Sequence, residues 1–301
     1  MSVVVFGATG RLGRHLVRCL LVRGADPGSL HGTGRKAERL RELAGTGVRT
    51  SFVDYDDPES VRRVLGRGDT LMLVSGSDMA ERAVQHRTVV DTAVAAGVAR
   101  IVYTSVVNAG DPAFVFAPDH IAAETHVRDS GVPFTFLRNG WYTENFGHLL
   151  RFADTTGTIT TCTGGGRVAS ATRLDLADAA AAVLVGGDVH DGRTYELGGD
   201  QAWSFDEFAQ ACAEVLGKPV RHNDVTPDQR TEFLVGQAGL TTTSARFVTD
   251  FDLNVRDGLL GRSTGELSRL IGRPTTPLLD SLRVAAGKVL RRAEHAAPTG
   301  S

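Results

Sequence analysis

Apolar residues come in short solid blocks along the first half of the chain, and a stretch of helical spacing follows each block. The first block is Val3-Val4-Val5-Phe6, after which Leu12, Leu16, Leu20 and Leu21 fall on one face of a helix that Gly24 should end. The same rhythm predicts strands at 3–6, 30–33, 50–54, 70–74, 100–104 and 134–137. It predicts helices at 11–23, 36–43, 58–65, 80–96 and 120–130. The strand blocks lack a clean apolar–polar alternation, as strands covered on both faces should. Regular alternation with short connections predicts an α/β fold, a doubly wound parallel sheet of Rossmann type. Its ligand crevice should lie at the C-terminal ends of the strands.

After residue 139 the pattern loosens. Residues 154–166, rich in Thr and Gly, read as irregular or short-stranded; 176–185 read as an alanine-rich helix and 194–197 as a late strand returning to the main sheet. Ser204 with Glu207 three places on predicts a capping box opening a helix to Leu216, and 226–271 suggests further helices. The expected organisation is a Rossmann domain over 1–139 and a smaller lobe over 140–290. From that lobe, segments near 168–200 return to the first domain, and 291–301 form a flexible tail.

Composition narrows the function classes. The chain has 301 residues, 42% hydrophobic and 23% charged, and its net charge of −2 offers no basic field for nucleic acid. No apolar stretch reaches the length of a membrane span, and residues 1–6 enter a strand without a basic leader, so neither membrane nor export is expected. Cys19, Cys162 and Cys212 show no paired or metal-like spacing and fit reduced thiols in a cytoplasm. The charge pattern shows no seam that would indicate an oligomeric state.

The first apolar block runs straight into Gly7-Ala8-Thr9-Gly10-Arg11-Leu12-Gly13. A buried strand, a glycine-rich turn and a helix form the phosphate cradle of a dinucleotide site. Gly7 permits the tight turn, Gly10 lets backbone approach a pyrophosphate, and Gly13 lets the helix pack on the strand. The helix N-terminus supplies N–H groups and the positive end of its dipole. An NAD site usually carries a carboxylate after the second strand; here that place holds Thr33-Gly34-Arg35-Lys36, with no carboxylate until Glu38. Arg35 and Lys36 could hold a 2′-phosphate, which favours NADPH. Asp54 and Tyr55 should flank the adenine, unless Asp54 and its neighbours only cap the helix near Pro58.

Taken together, four stretches resemble the NmrA-like, atypical short-chain dehydrogenase/reductase group, close to the type 2 NAD(P)H:quinone oxidoreductases. They are the glycine turn, Gln85-His86-Arg87, Tyr103-Thr104-Ser105, and Leu137-Arg138-Asn139-Gly140-Trp141-Tyr142-Thr143-Glu144-Asn145. Further echoes at Ala169-Ser170-Ala171-Thr172-Arg173, Tyr195-Glu196-Leu197 and Leu270-Ile271-Gly272 extend the resemblance over about residues 1–285. It implies NADPH along Gly7, Ala8, Thr9, Gly10, Arg11 and Leu12, with Arg35 on the 2′-phosphate. It also implies cofactor contacts from Val74, Ser75, Gly76 and Ser77, and from Asn139, Gly140, Trp141, Tyr142, Thr143 and Glu144.

The remaining residues limit the chemistry. Most short-chain reductases use Tyr-x-x-x-Lys, but four places after Tyr55, Tyr103, Tyr142 and Tyr195 stand Glu59, Val107, Phe146 and Gly199. No lysine occurs between Lys36 and Lys218, so ordinary alcohol dehydrogenation is disfavoured. Quinone reduction asks less, because hydride addition leaves a stabilised aromatic anion, and orientation in an enclosing pocket can suffice. His120 is the best candidate acid, with an ordinary pKa near 6.5, unless it only pairs with Glu124 one turn on. Tyr142 could hydrogen-bond a substrate oxygen. Trp141 could stack on a flat ring, unless both aromatics only pack the lobe; Asn145 and His86 complete the expected substrate surroundings, though His86 reads more simply as a satisfied histidine of its helix. Thr104 and Ser105 read as nicotinamide-side contacts, and no metal is expected. The expected function is NADPH-dependent hydride transfer to a quinone or similar flat conjugated electrophile. The alternatives are an NmrA-type dinucleotide-sensing regulator without turnover, or a biosynthetic tailoring reductase.

Overall fold

A computed structural model describes residues 2–76, 78, 79 and 81–296, the last nine as backbone only. The first half runs β1 (Val3–Phe6), α1 (Arg11–Val22), β2 (Leu30–Gly34), α2 (Ala37–Ala44), β3 (Arg49–Phe52), α3 (Pro58–Arg62), β4 (Thr70–Leu73), α4 (Arg82–Ala96), β5 (Arg100–Val106), α5 (Ala117–Asp129) and β6 (Phe134–Asn139). The second half continues with α6 (Gly147–Thr156), β7 (Thr158–Thr161), β8 (Arg167–Val168), α7 (Arg173–Gly186), β9 (Arg193–Leu197), β10 (Trp203–Ser204), α8 (Phe205–Leu216), β11 (Arg221–Asp224), α9 (Pro227–Gly236), α10 (Thr242–Arg256), α11 (Glu266–Ile271) and α12 (Leu278–Ala296).

The main sheet has seven strands in the order β3-β2-β1-β4-β5-β6-β9, every pair parallel. This is the doubly wound Rossmann-type sheet that the apolar blocks predict. Strand order reverses direction at β1, and the turn after β1 opens beside that switch point, where such sheets bind ligands. On one face Leu12, Leu16 and Leu20 of α1 pack with Leu176, Ala180 and Leu184 of α7. On the other face lie Val61 of α3, Val89 and Val90 of α4 and Val127 of α5. The alanines of α7 are small enough to bring it close against α1, which explains its burial on nearly every side.

A third core belongs to the lobe, with Phe146, Trp203, Phe205, Phe208, Val255 and Leu282 at its centre. Two small sheets, β8 with β10 and β7 with β11, edge it. The capping box at Ser204 and Glu207 is present, with the Glu207 N–H 3.3 Å from Ser204 Oγ and the Ser204 N–H 2.8 Å from the Glu207 carboxylate.

Several boundaries differ from the expectation. Helix α5 starts at Ala117 rather than residue 120, because Pro118 sits in its first turn, where no intrahelical N–H is needed. Residues 154–156 close α6 instead of lying in irregular chain. The hydroxyls of Thr155 and Thr156 bond back to the carbonyls of Arg151 and Phe152, and left-handed Gly157 ends the helix. Helix α11 also returns to the main sheet, burying Leu267 and Ile271 beside α7. The backbone of α12 stays helical through Ala296, inside the stretch expected as a tail. Among the described residues no helix is long and apolar enough to cross a membrane.

Candidate functional site

The turn after β1 is shaped by two glycines. Gly7 has φ +79°, which side chains resist. A Cβ on Gly13 would lie 2.2 Å from the Gly7 carbonyl oxygen, so α1 can sit on the turn only with glycine there. Helix α1 opens with no capping side chain and no acidic residue in its first turn, which leaves its end suited to an anion. Arg39 braces the turn by donating to the Thr9 carbonyl at 2.8 Å.

A crevice of about 620 Å³ spreads from this turn across the strand ends. Gly7, Thr9, Gly10, Arg11, Leu12, Arg35, Lys36, Asp54, Tyr55, Val74, Ser75, Gly76 and Tyr142 all line it. Ala8 does not; it is fully buried behind the turn, with its N–H on the Thr33 carbonyl at 2.8 Å. Ser77 lies outside the described residues. Arg35 stands at the rim, mostly exposed, 3.7 Å from Asp54. Asp57 caps α3 by accepting the Glu59 N–H, which leaves Asp54 facing the crevice. Burial pushes the Tyr55 hydroxyl pKa well up, with Arg35 opposing, so it is a neutral phenol.

Sequence reasoning missed Arg173 and Arg39 on this lining. The Arg173 guanidinium lies 4.4 Å over the Tyr142 ring, and its backbone N–H is held by the Glu144 carboxylate at 2.9 and 3.2 Å. The run Ala169–Arg173 stood out in the chain, but no local signal ties it to Tyr142.

The loop after β4 is held from beneath. The Ser75 N–H donates to Thr104 Oγ1 at 2.8 Å, the Gly76 N–H to His86 Nε2 at 3.2 Å, and Arg82 Nε to the Gly76 carbonyl at 3.0 Å. Thr104 and Ser105 are both buried and, contrary to the expectation, are absent from the crevice lining. His86 is fully buried, so it supports the crevice loop rather than a substrate. Tyr103 Oη bridges His120 Nδ1 at 2.7 Å and His86 Nδ1 at 3.3 Å. Burial, with Arg82 nearby, pushes both imidazoles down to about 3. His120 is thus neutral near pH 7 and lines neither the crevice nor the pocket described below, which overturns its expected role as proton donor. It does not pair with Glu124 either. That carboxylate grips Arg138 through two bonds of 2.8 and 2.7 Å, and they hold it ionised despite its burial.

The segment from Asn139 to Asn145 divides its labour. Asn139 and Gly140 are buried, with the Gly140 N–H on the Leu197 carbonyl at 2.9 Å. Thr143 bonds Ser170 at 2.9 Å, and Glu144 holds the start of α7. These four brace the segment and leave Tyr142 alone of the run on the crevice. Burial raises the Tyr142 hydroxyl pKa, so it too is a neutral phenol. Trp141 turns the other way, into a second cavity of about 170 Å³ that Asn145 also lines. Phe116 and Phe251 stand 5.0 and 4.5 Å from the Trp141 ring, and Phe247 stands 5.0 Å from Phe116. In this aromatic box lies one buried ion pair, Arg230 Nε to Asp252 Oδ2 at 2.8 Å.

Three comparisons place this geometry among known proteins. Residues 7–185 match the family model described as NAD(P)H-binding. Quinone oxidoreductase 2 of Escherichia coli (strain K12) is 35% identical over 93% of this chain and 97% of that protein. The crystal structure of the E. coli NADPH-dependent quinone oxidoreductase QOR2 complexed with NADPH superposes with TM-score 0.89 at 33% identity, covering 96% of this chain and 99% of that one. The Citrobacter sp. triphenylmethane reductase complexed with NADP(H) superposes with TM-score 0.87 at 36% identity, covering 94% and 100%. The chain belongs to the NAD(P)H-binding family, in its NmrA-like group close to the type 2 quinone oxidoreductases.

Proposed function

We propose that the protein is an NADPH-dependent oxidoreductase that passes hydride to a quinone or similar flat conjugated acceptor. The observation that carries this reading is the placement of Tyr142 and Trp141. Neighbours in the chain, they wall the dinucleotide crevice and the aromatic pocket respectively. The crevice fits a dinucleotide by its uncapped helix end and its glycine turn, and it fits a 2′-phosphate by Arg35 and Lys36 at the rim. NADPH, when bound, supplies the hydride. A quinone that accepts it becomes a hydroquinone monoanion, which one proton from water completes. No strong protein acid is required, in keeping with neutral Tyr142 and the burial of His120. Apolar walls and a volume near that of a cavity able to hold benzene, roughly 150 Å³, suit one aromatic ring or the edge of a larger one. The names of the E. coli relatives support the quinone assignment. We place the reaction in the cytoplasm, in keeping with three free, buried cysteines.

The test is steady-state oxidation of NADPH and NADH against a panel of quinones, enones and azo compounds. Turnover of quinones with preference for NADPH is expected. Binding of NADPH with no acceptor turned over would sink the reading and leave a dinucleotide sensor.

A further inference from the structure

The aromatic pocket contains one cation, and its environment is built rather than incidental. Arg230 on α9 has a side chain only 5% exposed. Its Nε is tied to Asp252 Oδ2, and that oxygen is itself fixed by the Cys162 N–H at 3.2 Å. The guanidinium also lies 5.9 Å from the Phe233 ring. Among the described residues neither Nη nitrogen makes a hydrogen bond, and the residue lines the pocket. A guanidinium is a planar fork of five donors, and the Arg230 Nη nitrogens are not among the sealed polar atoms that lack a partner, so they face accessible space where the residue lines the pocket. The arrangement spends one donor on holding the group still and leaves the fork for whatever enters beside Trp141.

We propose that Arg230 is a catalytic residue that anchors an oxygen of the acceptor and stabilises the negative charge that grows there. This rests on the quinone reading above and narrows it: the preferred acceptors end the reaction with charge on oxygen, as quinones do. When hydride adds to one quinone oxygen, an electron pair moves through the ring onto the other oxygen, which carries the charge until water protonates it. A fixed guanidinium in an apolar pocket stabilises this charge without reorganising, the condition under which such donors act most strongly. Asp252 is a positioning residue, holding the fork through Nε. Acceptors that end neutral on carbon, such as a cationic triphenylmethane dye, gain nothing from Arg230 and meet a like charge.

The experiment uses the full chain as Arg230→Lys and as the double variant Arg230→Met/Asp252→Leu, which removes both charges and leaves no bare carboxylate buried. Three quantities are read: kcat for 1,4-benzoquinone at saturating NADPH, the NADPH dissociation constant, and the affinity of an ionised hydroxynaphthoquinone by tryptophan quenching. The expected result is a fall in kcat of about a hundredfold in the double variant. NADPH affinity should be unchanged, the preference for the ionised quinone over its uncharged parent should be lost, and Arg230→Lys should restore part of both. A double variant that binds NADPH normally yet keeps kcat and the anion preference within threefold of the parent overturns the proposal. So does a variant that loses NADPH affinity in step with kcat, since Arg230 would then act only on structure. If the parent chain reduces no quinone at all, the proposed function fails; the anion preference then still decides whether Arg230 binds oxygen.

Discussion

The dinucleotide crevice and the aromatic pocket share one segment of chain yet are made in opposite ways. The crevice is mostly backbone, a glycine turn, a helix end and the loops that follow parallel strands, with Arg35 and Lys36 at its rim and buried Arg173 beside Tyr142. The pocket is almost all side chain, with aromatic rings brought from the residue before α5, the segment after β6, α8 and α10, and one ion pair inside. A backbone site depends on glycine and on strand order, and it tolerates little substitution at a few positions. A side-chain site spreads its energy over many contacts and can be re-cut one residue at a time.

The sharpest way to break this contrast is Gly13→Val. Even a Cβ would lie 2.2 Å from the Gly7 oxygen and 2.7 Å from the Ala8 Cα, both rigid backbone. Complete loss of NADPH binding is expected in a fluorescence titration, together with destabilisation of about 3 kcal/mol by denaturant melts. Next comes Arg35→Ala. An exposed cation that meets a 2′-phosphate contributes charge-assisted bonds of about 1.5–3 kcal/mol. KM for NADPH should rise ten- to a hundredfold while KM for NADH hardly moves, and an equal rise in both would show that Arg35 does not read the phosphate. Trp141→Ala should raise KM for small quinones by about tenfold through lost stacking and lost apolar burial. NADPH affinity should hold, because Trp141 faces away from the crevice; a parallel loss would mean that the two cavities are not separable.

The last effect is on pH dependence and belongs to the crevice side alone. His86 and His120 are held at about 3 against an ordinary 6.5, so both are neutral in the folded protein. As pH falls below 6.5 the unfolded chain takes protons that the folded chain refuses, and stability drains between pH 6.5 and 3. The slope approaches about 1.4 kcal/mol per pH unit for each histidine. Thermal melts from pH 7 to 4 should show this slope, and His86→Gln should remove about half of it. Because folded His86 stays neutral and keeps accepting from the Gly76 N–H, the NADPH affinity of the folded protein should hold over the same range. A flat melting profile would show that these imidazoles are not buried neutral.

Much of the crevice was legible because its determinants are local. Gly7, Gly10 and Gly13 lie within one turn of a strand–helix junction, and Arg35 and Lys36 follow the next strand directly. The role of His120 was misread for the opposite reason, and the surroundings of His86 could not be told. His86 and His120 sit on helices whose apolar spacing does not reveal which face meets the sheet. Only the meeting of α4, α5 and β5 around Tyr103 shows that both are buried. The run Asn139–Asn145 stood out, but Asn139 to Glu144 were all given to the cofactor, with Trp141 and Tyr142 given to the substrate as well. In an extended segment neighbours point to opposite sides, so Trp141 and Tyr142 serve different cavities.

By itself the sequence determined what nearest neighbours along the chain control: where strands and helices alternate, where the turn after β1 must bend, and which charges follow β2. It also determined that no Tyr-x-x-x-Lys pair could operate. Tertiary structure alone decided which histidines lose their charge, that Arg173 reaches Tyr142, and that Phe116, Trp141, Phe247 and Phe251 close a box around Arg230. Those outcomes depend on desolvation and contact between segments up to 135 residues apart, quantities that exist only once the chain has packed.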